Sequence, residues 1–334
     1  MFLPLLFLFP ALGLPSRLLT LPALYDENVF ARAWRTALKG PPGVGSEDSW
    51  PQYTQGAHDN TPNNDKPPGT YVNTPADGWT AGFFPDILWQ LYRRQRDLQP
   101  SLAFEDQPSG EEWLSYAKGW TDPLISNKDL TSTHDLGFLA KPFESALEIE
   151  SEEKWLPALQ NMSDNLAARF VPDAGVIRSW DTNNASFGSR GSHEDSVLVI
   201  IDNMMNLALL ARSASTYTHN ATHLEIAKSH ANKTRDNHVR QDGSTFHVCD
   251  YSGATGEVYL CRTAQGLADD STWARGQAWA IYGFTEFYSL TGDLSYLETA
   301  MRTADFFITH LPDDGLPFWD SDAPYLPNES PRDR

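Results

Sequence analysis

Hydrophobic positions recur every three to four residues along most of this chain, and strand-like alternation is almost absent. The spacing predicts a helix over about 26–38 and another from Pro85, where Ile87, Leu88, Leu91 and Tyr92 share a face. Further helices are expected at about 111–128, 152–170, 202–214, 221–238, 272–291 and 294–310. GPPGVGSEDS, from Gly40, reads as a loop; it lacks the Lys-Ser/Thr pair of a phosphate cradle. Trp50 to Thr80 is rich in Pro, Asn, Asp and Gly and reads as an ordered irregular segment.

A phrase repeats: helix end, Asp and Gly together, then an aromatic residue. It occurs as FVPDAGVIRSW (Phe170 to Trp180), HVRQDGSTFHV (His238 to Val248) and HLPDDGLPFW (His310 to Trp319), with a fainter copy, PADGW, ending at Trp79. Asp173 and Asp242 are 69 residues apart and Asp242 and Asp314 are 72, the length of two helices with their loops. The repeat is therefore a helical hairpin, and hairpins with aromatic-bearing loops on one side suggest an all-α, α/α toroid with a pocket at the loop end. A closed ring of six hairpins needs more chain than 334 residues offer, so residues 21–334 are expected to form one barrel domain stopping before the closing helices.

Within SVLVIIDNMMNLALL, Ser196 to Leu210, a single ionisable group, Asp202, interrupts a run that otherwise reads as core. A carboxylate there must find partners, hold a proton near neutral pH, or start a helix. It is either the N-cap of a helix beginning at Asn203 or a carboxyl tuned by burial for acid–base work, and the first does not exclude the second.

Charge narrows the partners. The net charge is −19 and the 25 Lys and Arg residues form no basic run, which argues against nucleic acid or an anionic membrane surface. Trp (11), Tyr (12) and Phe (17) suit a thick core or sugar-stacking platforms. The first 20 residues, opening MFLPLLFLFPALGLPS, have signal-peptide character with Ala11 and Gly13 near a cleavage point, although no Lys or Arg precedes the apolar run. Five sequons (Asn161, Asn184, Asn220, Asn232, Asn328) fit an exported chain, so secretion is expected, or otherwise the secretory pathway or vacuole. Cys249 and Cys261, the only cysteines, form a disulfide in an oxidising compartment or remain two thiols. His219 and His223 stand four apart, but a polar helix beside a sequon reads as a solvated face, so no metal site is expected. Asp269 and Asp270 read as a helix start.

Four stretches stand out together: DGWTAGFFP (Asp77 to Pro85), THDLGF (Thr133 to Phe138), VIIDNMMN (Val199 to Asn206) and DDSTWARGQAWAIYGFTEFY (Asp269 to Tyr288). With GSTFHV (Gly243 to Val248) they resemble the unsaturated glucuronyl hydrolases of glycoside hydrolase family 88, from about Trp50 to the C-terminus. The resemblance implies an (α/α)6 barrel, no cofactor, and an oligosaccharide substrate ending in a 4,5-unsaturated uronic acid. It implies that Asp202 is the acid and base, that Asp135 assists, and that Asn203, Met204 and Met205 support Asp202. By itself Asp135 reads as a loop or cap aspartate. His134 and His247, each a structural histidine on its own merits, are placed by the resemblance in the sugar subsite with Gln265 and Thr263. Arg275 suits a uronate carboxylate or a sulfate, or else a helix-surface salt bridge. Trp79, Trp180 and Trp279 would be stacking walls, and Trp273 is left outside that set. Asp86 replaces the family's Gly after Phe-Phe-Pro and reads as a surface change. The alternatives are the related unsaturated rhamnogalacturonyl hydrolase activity and an inactive or carbohydrate-binding remnant.

Overall fold

The computed structural model describes residues 27–40, 50–54, 69–98, 107–181 and 193–324. The expected leader, most of the Gly40 loop, and the sequons at Asn184 and Asn328 lie outside these residues.

The described residues form nine α-helices: α1 (Glu27–Ala37), α2 (Phe83–Leu98), α3 (Gly110–Thr121), α4 (Leu136–Glu150), α5 (Leu156–Ala168), α6 (Leu207–Arg212), α7 (Ala221–Asn237), α8 (Ala274–Thr291) and α9 (Leu294–Thr309). The even-numbered helices pack on one another in order, α2 on α4, α4 on α6 and α6 on α8. Each is backed by the helix that follows it in sequence. An inner arc thus lies inside an outer one, which is the toroid expected from the repeat. The core joins them through aromatic rings, with Trp50, Trp89, Trp113 and Trp155 fully buried. Trp89 keeps its indole N–H satisfied by donating to Thr121 Oγ1 at 3.0 Å.

Helix α4 is not among the expected helices, because 11 of its 15 residues are buried and no polar face remains to set a period. Pro142 inside it also argues against a helix on sequence grounds. Asp86 is likewise no freely solvated residue: half-buried, it accepts from Ser145 Oγ of α4 at 2.5 Å, and desolvation pushes its carboxyl above the ordinary range. His219 lies before α7, whereas His223 on α7 is buried, with Nδ1 3.0 Å from Ser213 Oγ; neither forms a solvated pair.

Strands are more numerous than the alternation implied. Trp50–Thr54 (β1) pairs with Tyr71–Thr74 (β2), and Phe170–Val171 (β3) with Val176–Ile177 (β4). Ser196–Ile200 (β5), Val248–Ser252 (β6) and Val258–Arg262 (β7) form an antiparallel sheet. Every residue of β5 and β6 is buried, so no face alternates with solvent and the strands read as core. The run from Ser196 to Leu210 is therefore composite: β5, a 3-10 turn at Ile201–Met205, then α6.

The repeated phrase is a real structural unit. Its three clear copies follow α5, α7 and α9, and each turns on a glycine of positive φ: Gly175 (70°), Gly243 (91°) and Gly315 (73°). Only glycine adopts that region without strain. In the fainter copy Gly78 turns differently, crowding Thr74 instead.

Candidate active site

Two helices clamp the turn that carries Asp202. A Cβ at Gly137 of α4 would stand 2.5 Å from Asn206 Cα, and one at Gly283 of α8 would stand 2.6 Å from Met204 Cβ. These glycines let both backbones close on the 3-10 turn, and Phe138 N donates to Asn206 Oδ1 at 3.0 Å to lock the contact. Asp135, two residues before Gly137, is thereby brought to the same cavity as Asp202.

Asp202 caps no helix; Ile200 holds the N-cap position of the turn, and Asp202 sits one residue inside it. Its Oδ1 is sealed from solvent without a hydrogen-bond partner. Burial pushes its carboxyl up to about 6, with the Asp135 charge adding to the rise and His134 and Arg275 opposing it. Asp135 occupies the N-cap position of α4, yet its side chain makes no capping bond. Instead Oδ2 accepts from Thr133 Oγ1 at 2.7 Å, and Oδ1 stands 3.3 Å from His134 Nε2. Behind them His134 is fully buried, its Nδ1 3.1 Å from Ser179 Oγ. Ser179 Oγ in turn accepts from Ile200 N at 3.0 Å, so the two aspartate-bearing segments share one support.

The opposite wall is built by the ends of the β6–β7 hairpin. His247 Nδ1 accepts from the amides of Ala264 (3.2 Å) and Gln265 (3.4 Å) and lies 3.2 Å from Thr263 Oγ1. An acceptor at Nδ1 places the proton on Nε2, leaving a neutral ring with a donor. Burial keeps it so, pushing the imidazole down to about 3. The hairpin is closed by the Cys249–Cys261 disulfide, between residues paired in register.

Asp135, Asp202, His247, Gln265, Arg275, Trp79 and Trp180 line one cavity of about 180 Å³. His134 and Thr263 stand behind it, acting on Asp135 and His247. Trp279 lines an adjoining cavity of about 550 Å³ with Gln52, Tyr53 and Phe83, and meets Trp79 edge to face at 6.5 Å. Trp273, outside the expected set, lines the first cavity. Its ring lies 4.3 Å from that of His247, with the Arg275 guanidinium 4.8 Å above it. Two residues apart on a helix, Trp273 and Arg275 would face apart; Trp273 is in extended backbone before α8, and so they stack. Asp269 and Asp270 do not start that helix: Asp269 lies in the preceding loop and accepts from Thr263 N at 3.1 Å. Among the described residues, no group of three or more His, Cys, Asp or Glu side chains gathers to hold a metal ion. No helix among them is long and apolar enough to cross a membrane.

No family model matches the chain. The solved structure of an unsaturated glucuronyl hydrolase specific for heparin superposes with a TM-score of 0.74 at 32% identity, covering 91% of this chain and 72% of that one. The chain belongs to the unsaturated glucuronyl hydrolases, glycoside hydrolase family 88. Within that family it is 35% identical over 270 residues to the unsaturated glucuronyl hydrolase of Formosa agariphila, covering 80% of this chain and 62% of that protein. It is 32% identical over 265 residues to the unsaturated glucuronyl hydrolase of Bacillus sp. strain GL1, covering 77% and 64% respectively. The chain thus spans somewhat under two thirds of the length of these curated unsaturated glucuronyl hydrolases.

Proposed function

We propose that this chain hydrolyses oligosaccharides whose non-reducing end is a 4,5-unsaturated uronic acid. The observation that carries the proposal is Asp202, whose carboxyl is pushed up to about 6 by burial and which lines one cavity with Asp135 and Arg275. Protonating carbon needs an acid that still holds its proton near working pH, and burial supplies it. Asp202 gives its proton to C4 of the enol ether, and the carboxylate it becomes takes a proton from the water that adds to C5. The C5 hemiketal opens by losing its ring oxygen, C1 becomes a hemiacetal carrying the remaining sugar, and collapse to the aldehyde releases that sugar as an alcohol. Arg275 suits the uronate carboxylate as a planar charge-assisted donor, His247 offers an Nε2–H to a hydroxyl, and Trp79, Trp180 and Trp273 provide faces for the ring.

The test is to incubate the purified chain with lyase-generated unsaturated disaccharides and follow the ultraviolet absorbance of the alkene. Loss of absorbance with the native chain, and none with Asp202→Asn, supports the reading; silence from both removes it. We also propose that the protein travels the secretory route, a reading supported by the Cys249–Cys261 disulfide, since such bonds persist in oxidising compartments.

A further inference from the structure

The wall of the cavity that carries Gln265 is a loop, residues 263–272, belonging to no helix or strand. It is held from behind by Asp320, in the segment after α9, which has no exposed surface. Asp320 Oδ2 accepts from Leu267 N at 2.9 Å and from Ser271 Oγ at 2.7 Å, and Oδ1 accepts from Asp322 N at 3.0 Å. A buried carboxylate is tolerated only when its oxygens are filled in this way, so its donors are pinned in return. The backbone on either side completes the grip. Asp320 bridges Trp273, Ala274 N donates to Trp319 O at 3.0 Å, and Ser321 N to Thr272 O at 2.9 Å. From the far side Arg240 donates to the carbonyls of Asp270 (2.9 Å) and Ser271 (3.0 Å).

Contact runs from Asp320 to the cavity wall without a gap. A Cβ at Gly266 would lie 2.8 Å from Asp320 Oδ2 and 2.6 Å from Thr263 Oγ1. Gly266 N donates to Thr263 Oγ1 at 2.7 Å, and the next groups on are Gln265 and the His247 imidazole.

We propose that Asp320 is the positioning residue for the Gln265–His247 wall: its carboxylate fixes the 263–272 loop, so that Gln265 and the amides that hold His247 Nδ1 keep their places. The kinetic consequence rests on the hydrolase reading above; the structural one does not.

Asp320→Ala removes both accepting oxygens, whereas Asp320→Asn keeps one oxygen that can still accept from Leu267 N and Ser271 Oγ and should show a smaller effect. In Asp320→Ala, amide exchange at Leu267 should quicken about 10-fold or more, as expected for losing a hydrogen bond to a charged group. The His247 ring nitrogen shifts should lose the pattern of an unprotonated Nδ1, while exchange in α2 and α4 stays as in the native chain. On an unsaturated disaccharide, KM should rise about 10-fold with kcat within a few fold, the signature of lost positioning in binding. Ser271→Ala, which removes a single donor, should move the same readouts in the same direction by less. An unchanged Leu267 amide in Asp320→Ala overturns the proposal, as does a loosened loop with KM unaltered. If the native chain turns over no unsaturated disaccharide, the hydrolase reading falls, and the exchange and ring-nitrogen measurements decide on Asp320 alone.

Discussion

His247 Nδ1 lies 3.2 Å from Thr263 Oγ1, across the open end of a hairpin whose strands are tied by the Cys249–Cys261 disulfide. Each cysteine is two residues inside its member of this pair, so the bond that closes the hairpin also sets the separation of the two halves of the cavity wall. Replacing both cysteines by serine should lower stability by about 3 kcal/mol, the loop-closure contribution of a short crosslink. Urea unfolding with and without reductant measures this, and KM should rise in the same variant. An unchanged midpoint in reductant would show that the packed strands hold the hairpin unaided.

Asp135 and Asp202 line one cavity because Gly137 has no side chain. Gly137→Ala forces a Cβ to within 2.5 Å of Asn206 Cα and should cost about 1–3 kcal/mol through overpacking. Turnover should fall more than about 10-fold, because the Asp135 segment is pushed away from the Asp202 turn. Gly110→Ala, with nothing within 4 Å of the added Cβ, is the matched control and should leave kcat unaltered.

Activity should fall as pH rises past about 6, where Asp202 loses the proton it must deliver. The same group weakens the fold at neutral pH. Its folded pKa of about 6 lies above the ordinary 3.8, so stability is full below 3.8 and declines as pH rises through 6. At pH 7 the loss approaches 3 kcal/mol, since each tenfold change in proton affinity is worth roughly 1.4 kcal/mol. Asp202→Asn should therefore abolish turnover while raising Tm at pH 7 by a few degrees. A lowered Tm would contradict the burial argument.

Acid acts through the histidines. Burial holds His238 down at about 4 and His247 at about 3, below the ordinary 6.5, so each must stay neutral in the fold while the unfolded chain takes up a proton. Stability is full above 6.5 and falls as pH drops toward 4, on the order of 3 kcal/mol for His238. Over this window Asp202 contributes the opposite slope. In Asp202→Asn the acid-side decline should consequently be steeper, as Tm between pH 4 and 6.5 will show.

The phrase repeated after α5, α7 and α9 was legible because a positive-φ glycine leaves a mark in sequence, and Asp202 was legible because a lone carboxyl in an apolar run has few outcomes. Helix α4 and the strands β5 and β6 were not, because burial on all sides removes the alternation that periodicity reads. Asp86 reads as a freely solvated residue in sequence for a related reason: its hydrogen-bond donor, Ser145, lies 59 residues away.

The order of amphipathic helices, the glycine turns between them and the family's motifs were set by local chemistry, and the sequence by itself determined those. Whether the Asp135 side chain capped its helix or lined a cavity with Asp202, whether Trp273 joined the site, and which residue pinned the Gln265 loop were decided by tertiary structure alone. Each depends on backbones approaching to contact distance, as at Gly137 and Asn206, or on a carboxylate such as Asp320 meeting donors about fifty residues away. A carboxyl's role follows from which groups fill its oxygens, and those groups are assembled by the fold.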